Sequence, residues 1–295
     1  MNDPFSKCHP AVNFLFFVGA IAFAALIQHP AYLAVGLGCG CVYYLLLHGR
    51  KGIKLPLAMI PLFLFLTFIN PLFNTRGETV LFLLLGRPYT MEALLYGAAV
   101  AGIFVNMILW FGCYNKVLTS DKFTSLFGSL IPSISLLLVM VFRMVPNLLR
   151  KASQLSGTRR SVGKGLDETS GTGEKLRSGA AILDALTNWA LEGSIVTGDS
   201  MRARGYGATR RSSFMIYRLG RLDWILLVLL PALVAAVIVF ACLGSTAAEF
   251  TPQLRIAPVT SDNMSGLIAY SIYLLIPTIL HGKEALQWHI SRSRI

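Results

Sequence analysis

Apolar runs long enough to cross a bilayer recur along this chain, and they constrain its fold more than any other feature. A helix needs about 20 mostly apolar residues to span about 30 Å of hydrocarbon, with roughly 17 as the lower end. Residues 11–27, 31–47, 56–73, 91–114 and 223–244 meet that requirement. A sixth run, 264–281, carries only Ser, Tyr and Thr as polar residues before a basic tail from Lys283 to Arg294. With 55% hydrophobic residues against 14% charged ones, a water-soluble fold is excluded. The fold class expected is an all-α integral membrane protein with about six spans.

A seventh run, Leu126 to Val145, is apolar enough to cross but holds Pro132, three serines and Arg143. Charge decides against it. Lys and Arg near span ends accumulate on the cytoplasmic side. If this run does not cross, 23 of the 26 basic residues lie inside and only Arg76, Arg87 and Arg255 lie outside. If it crosses, seven lie outside. The chain is therefore expected to cross six times with both termini cytoplasmic, and the +12 net charge is read as topology rather than as a nucleic-acid surface.

This topology divides the chain into an N-terminal membrane domain (1–114), a cytoplasmic region (115–222), and two C-terminal spans with their basic tail (223–295). The cytoplasmic region is not one loop. Helical character runs from Phe123 to about Arg160, with Pro132 near its start and Pro146 as the expected kink. Residues 163–179 are rich in Gly, Ser, Thr and charge without an apolar period, and they read as a flexible linker. From Ala180 to Arg204, Ile182, Leu183, Leu186, Trp189, Ala190 and Val196 recur at helical spacing. Gly205 follows where a C-terminal cap glycine belongs. Two long helices between spans four and five are the result.

Catalytic signatures are missing from the sequence: it contains no HExxH and no GxSxG, and no pair of acids lies inside a span. The run Gly157 to Gly165 has one residue too many between its glycines for a phosphate loop, and Lys164 is not followed by Ser or Thr. Gly36, Gly38 and Gly40 lie within an apolar span and read as close helix packing. Glu92 and Asp223 sit at span ends, where a carboxylate complements the helix dipole. Without mid-depth ionisable residues the spans do not resemble an ion-coupled carrier. The cysteines form neither a CxxC pair nor a spaced framework, so neither a metal site nor a bound cofactor is expected.

The most specific string is Ser200-Met201-Arg202-Ala203-Arg204-Gly205-Tyr206-Gly207, after Ala190-Leu191-Glu192-Gly193. Basic residues before a glycine cap satisfy the last carbonyls of a helix. An Arg held there also offers a planar, permanently charged fork to a partner's carboxylates and carbonyls.

Taken in order, several segments resemble the transmembrane T component of energy-coupling factor (ECF) transporters, prokaryotic ABC-type importers of vitamins and metal ions. They are His9-Pro10, Asn70-Pro71-Leu72-Phe73 with Gly77, Thr90-Met91-Glu92-Ala93 with Tyr96-Gly97, Phe142-Arg143-Met144-Val145-Pro146, and Ala203-Arg204-Gly205. The resemblance implies two coupling helices, each ending in an Ala-Arg-Gly-like motif whose Arg docks in a groove of an ATP-binding subunit, with Arg143 and Pro146 belonging to the coupling-helix structure. The second motif is intact at Ala203, Arg204 and Gly205. The first departs from the pattern, reading Gly157-Thr158-Arg159-Arg160, and its role falls to Arg159 or Arg160. The partners implied are two ABC-type ATPase subunits and a small substrate-binding membrane subunit, in the lipid bilayer of a prokaryotic cell membrane. On this reading the chain is not an enzyme. A permease of a conventional ABC importer and an integral membrane enzyme are the alternatives.

Overall fold

A computed structural model of the chain describes residues 4–74, 77, 79–84, 87–128, 132–163, 171–208, 217, 219–250, 255–257 and 261–292. The described residues are overwhelmingly helical. They divide into one unit built from residues 1–119 and 217–295, and a second built from residues 120–216.

In the first unit a short helix, α1 (Pro4–Lys7), precedes α2 (Pro10–Leu26), α3 (Pro30–His48), α4 (Lys54–Phe73) and α5 (Met91–Val117). A hairpin of β1 (Val80–Leu84) and β2 (Arg87–Thr90) joins α4 to α5. Five helices in the described residues are long and apolar enough to cross a membrane: α3, α4, α5, Arg221–Cys242, and Met264–Glu284 within the last helix. The remaining expected span, 11–27, corresponds to α2, a shorter apolar helix of 17 residues. This is a multi-pass, all-α membrane architecture.

Lipid offers no hydrophobic drive for helices to associate, so close contacts and hydrogen bonds must hold them together. Helix α5 lies at the centre, against α2, α3 and α4. Gly36 and Gly40 of α3 face it: a Cβ at Gly36 would stand 2.5 Å from Asn106 Nδ2, and one at Gly40 would stand 3.3 Å from Trp110 Nε1. Gly38 meets nothing within 4 Å, so only two of the three glycines serve packing. Around Trp110 the rings of Phe16 (5.7 Å) and Phe17 (6.5 Å) meet it edge-on, and Phe16 in turn stacks on Tyr273 at 5.2 Å.

The two His-Pro pairs start helices in the same way. His9 and His29 each accept the backbone N–H two residues on through Nδ1, at 3.2 Å, and the proline that follows fills the first helical position, where no N–H partner exists.

After the second unit the chain continues through α9 (Arg221–Cys242), a two-residue pairing of β3 (Ala248–Glu249) with β4 (Arg255–Ile256), and α10 (Ser261–Arg292). The expected run 264–281 is only the middle of α10. The basic tail from Lys283 continues as helix to Arg292 instead of forming a separate segment. One reason lies in Glu284, which pairs with Lys7 at 2.9 Å and fastens that end of α10 to α1. The fourth span likewise runs three residues past Tyr114, to Val117.

Asp223 has more to do than complement a dipole. Its Oδ2 accepts the Gly220 N–H at 2.8 Å, capping α9, while Oδ1 accepts the His9 N–H at 2.9 Å. One buried carboxylate thereby ties the starts of α2 and α9, and the Tyr217 ring meets His9 edge-on at 6.2 Å. Asp223→Ala should strand both donors and cost about 1–3 kcal/mol for each one left without an acceptor. Asp223→Asn, which keeps one acceptor oxygen, should lose less. Thermal unfolding of the two variants in detergent checks the order, and equal stability of wild type and Asp223→Ala would contradict it.

Candidate docking helices

The second unit contains α6 (Ser120–Gly128), α7 (Pro132–Ser161) and α8 (Thr172–Ala203). Sequence periodicity suggests one helical run from Phe123 to Arg160, but the structure has two helices, and residues 129–131 between them lie outside the described residues. Pro132 opens α7 at a position where a missing N–H costs nothing. Pro146 lies inside α7, which continues through it to Ser161.

The expected linker 163–179 is shorter at its far end. Helix α8 begins at Thr172, eight residues before Ala180, and the Lys175 N–H already bonds to the Gly171 carbonyl at 3.1 Å. Lys175, Leu176 and Arg177 are exposed, and good helix formers on an exposed turn need no apolar period. Residues 164–170 of that linker lie outside the described residues.

Helices α7 and α8 form an antiparallel pair, shown by two contacts at different levels. Lys151 Nζ lies 5.9 Å from the Trp189 ring centroid, a cation–π distance, and Arg159 Nη2 donates to Ser178 Oγ at 3.4 Å. As the residue number rises on one helix it falls on the other. Arg159 is therefore a strut between the helices: it is half-buried, and its Nε has no partner among the described residues. Arg160, next to it, is exposed. Of the two residues offered by the departing first motif, Arg160 is the one at the surface. Ser178 could not be found from sequence because it fell in the supposed linker. Lys151 carried no signal beyond its charge, although Trp189 was on the predicted apolar face.

At the other end of α8 the geometry agrees with expectation. The Gly205 N–H bonds to the Arg202 carbonyl at 2.9 Å and the Tyr206 N–H to the Met201 carbonyl at 3.0 Å, the paired bonds of a Schellman cap. Gly205 has φ +74°, a conformation glycine adopts without Cβ strain. Ala203, Arg204 and Gly205 are all exposed, so the cap fixes the backbone of Arg204 while its side chain stays in solvent. About 39 Å of α8 separates Ser178 from Arg204 at 1.5 Å per residue. The two arginine sites thus stand at opposite ends of the helix pair.

Arg143 and Pro146 are exposed on the first half of α7, among the exposed apolar residues Ile134, Leu137, Val141, Phe142 and Val145. Among the described residues no group of three or more His, Cys, Asp or Glu side chains could hold a metal ion. No family model matches the chain, and no curated protein matches it in sequence.

Proposed function

We propose that this chain is the transmembrane coupling subunit of an ECF-type ABC importer, taking up a vitamin, metal ion or similar micronutrient in a prokaryotic cell membrane. The observation that carries the reading is the α7–α8 pair, with an exposed arginine near each end and one of them, Arg204, set on a capped helix terminus. Two anchoring points about 39 Å apart along a helix suit two ATPase subunits better than one. In this mechanism ATP binding and hydrolysis move the paired ATPases. The docked helices pass that movement to the spans, and a small substrate-binding membrane subunit is reoriented to release its cargo. The chain hydrolyses nothing itself. Its helix pair is the element with two arrangements that both sites bias.

The same proposal counts α2 as a sixth span, since its 17 residues reach the lower end of spanning length. Both termini and residues 115–222 then face the cytoplasm. In a background without native cysteines, a single cysteine at Thr75 should react with a membrane-impermeant maleimide on intact cells, and one at Ser170 only after permeabilisation. Labelling of Ser170 from outside would overturn the orientation. The functional test is purification of the tagged chain from its native membrane. ABC-type ATPases should come with it, and ATP turnover should vanish when they are stripped away. A chain that arrives without them, or that hydrolyses ATP when free of them, is something else.

A further inference from the structure

The link between α4 and α5 is inside out for a loop that meets water. The carboxylate that receives it is buried: Glu92, in the first turn of α5, is 7% exposed, accepting from the Thr79 hydroxyl at 2.8 Å and from the Thr79 N–H at 3.2 Å. Gly77 lies so close that a Cβ there would stand 2.6 Å from Glu92 Oε2, and Thr90 beside it is fully buried. Apolar side chains face outward instead. Leu83 is 72% exposed, Leu81 and Val80 are each more than half exposed, and Phe73 at the end of α4 is 78% exposed. Leu81 and Leu83 share one face of β1, and an irregularity between Val80 and Phe82 brings Val80 to the surface as well.

The level of this apolar face can be read from α4. Tyr89 of β2 is buried, and its hydroxyl donates to the Phe68 carbonyl at 3.2 Å. Phe68 lies five residues before the end of a 20-residue helix, so the hairpin folds down beside the last turns of α4, about 7 Å short of its end at 1.5 Å per residue. That level belongs to a helix long enough to span, near the boundary of the hydrocarbon. Water is a poor neighbour for three clustered aliphatic side chains and a phenylalanine. Hydrocarbon is equally poor for a two-stranded sheet, whose outer edges present backbone groups that nothing in lipid can satisfy. The headgroup–acyl boundary alone accommodates both.

We propose that the β1–β2 hairpin is an interfacial membrane anchor, with Val80, Leu81 and Leu83 seated among lipid headgroups and upper acyl chains. It sets the depth of the α4–α5 pair, the two spans it joins. This inference rests only on span length and on the hairpin's own contacts, and it stands whether or not the chain couples to ATPases.

The test uses the full chain, with Cys8, Cys39, Cys41, Cys113 and Cys242 replaced, in vesicles of phosphatidylethanolamine and phosphatidylglycerol. Spin labels are placed singly at Leu81 and at Leu83, with a mid-span reference at Phe65 and an aqueous reference at Ser170. Collision rates with oxygen, which partitions into lipid, are compared with those of a water-soluble nickel chelate. At Leu81 and Leu83 the oxygen-to-nickel ratio should lie between those of the two references and on the lipid side of Ser170. A ratio equal to that at Ser170 places the hairpin in water and overturns the proposal. Low access to both probes, as under a second copy or another protein, overturns it too. The labels at Leu81, Leu83 and Phe65 sit on exposed side chains, so misfolding is not built into the design, and agreement between the two hairpin positions guards against a local artefact.

Discussion

Arg204→Glu is expected to insert into the membrane at wild-type levels and to lose co-purifying ATPases and transport together. The docking role proposed for Arg204 sets this expectation. A side chain on a capped helix end loses little backbone freedom on binding, so a fork-shaped donor there makes an efficient anchor. Removing one member of a desolvated charge pair costs about 2 to 5 kcal/mol, roughly 30-fold to several-thousand-fold in affinity. Reversing the sign adds repulsion. Arg202 lies two residues earlier and on a different face of α8, so Arg202→Ala should retain most binding. The measurement is a pull-down of ATPase subunits by wild type, Arg204→Glu and Arg202→Ala at matched expression. If Arg204→Glu still carries the ATPases and supports uptake, capping is all that this motif does.

Gly97→Leu should destabilise the chain by forcing α4 away from α5. A Cβ at Gly97 would stand 2.8 Å from the Thr67 carbonyl oxygen and 2.8 Å from Asn70 Cβ, and the first of these is backbone that cannot swing aside. Helix α4 packs chiefly on α5, so separating them leaves α4 with almost no other protein contact. Overpacking of this kind costs about 1–3 kcal/mol or more. At Gly38, where nothing lies within 4 Å, alanine should be neutral or stabilising by up to about 1 kcal/mol through helix propensity. Melting of the two variants in detergent, followed by loss of the monodisperse peak, tests the contrast. Similar melting for both would mean that the α4–α5 contact is not what holds this pair together.

Much of this architecture could be read from residues because its strongest signal is length: an apolar run must be long enough to span, and hydropathy reports that directly. The cap at Gly205 was equally legible, since only a few residue types end a helix with positive φ. Polar helices were not. The first turns of α8 carry exposed Lys175 and Arg177 with no apolar period, and they resemble a linker until the Ser178 contact to Arg159 is seen. The partner that Glu284 finds beyond Lys283, Lys7, lies 277 residues away, and no local pattern encodes it. Glu92 and Asp223 could be placed at helix starts but not assigned their second partners, because those come from other segments. At the first arginine motif the sequence offered two neighbours, and burial separates them: Arg159 spans between helices while Arg160 stays exposed. Sequence periodicity gives the face a residue occupies. It says little about which distant segment covers that face.

The junction of α2 with α10 has a consequence for biosynthesis. The Tyr273 hydroxyl donates to the Phe16 carbonyl at 2.8 Å across 257 residues of chain, and Phe5 and Phe16 are sealed in the aromatic cluster that Tyr273 helps to close. A ribosome adding about 5–20 residues per second needs roughly 13 to 50 s to make that intervening chain. For that interval α2, a 17-residue apolar helix, must wait without the neighbour that completes its packing. Closure of the core around α2 therefore waits until α10 has been made, and one of the earlier helices of the first unit is among the last to be locked in place.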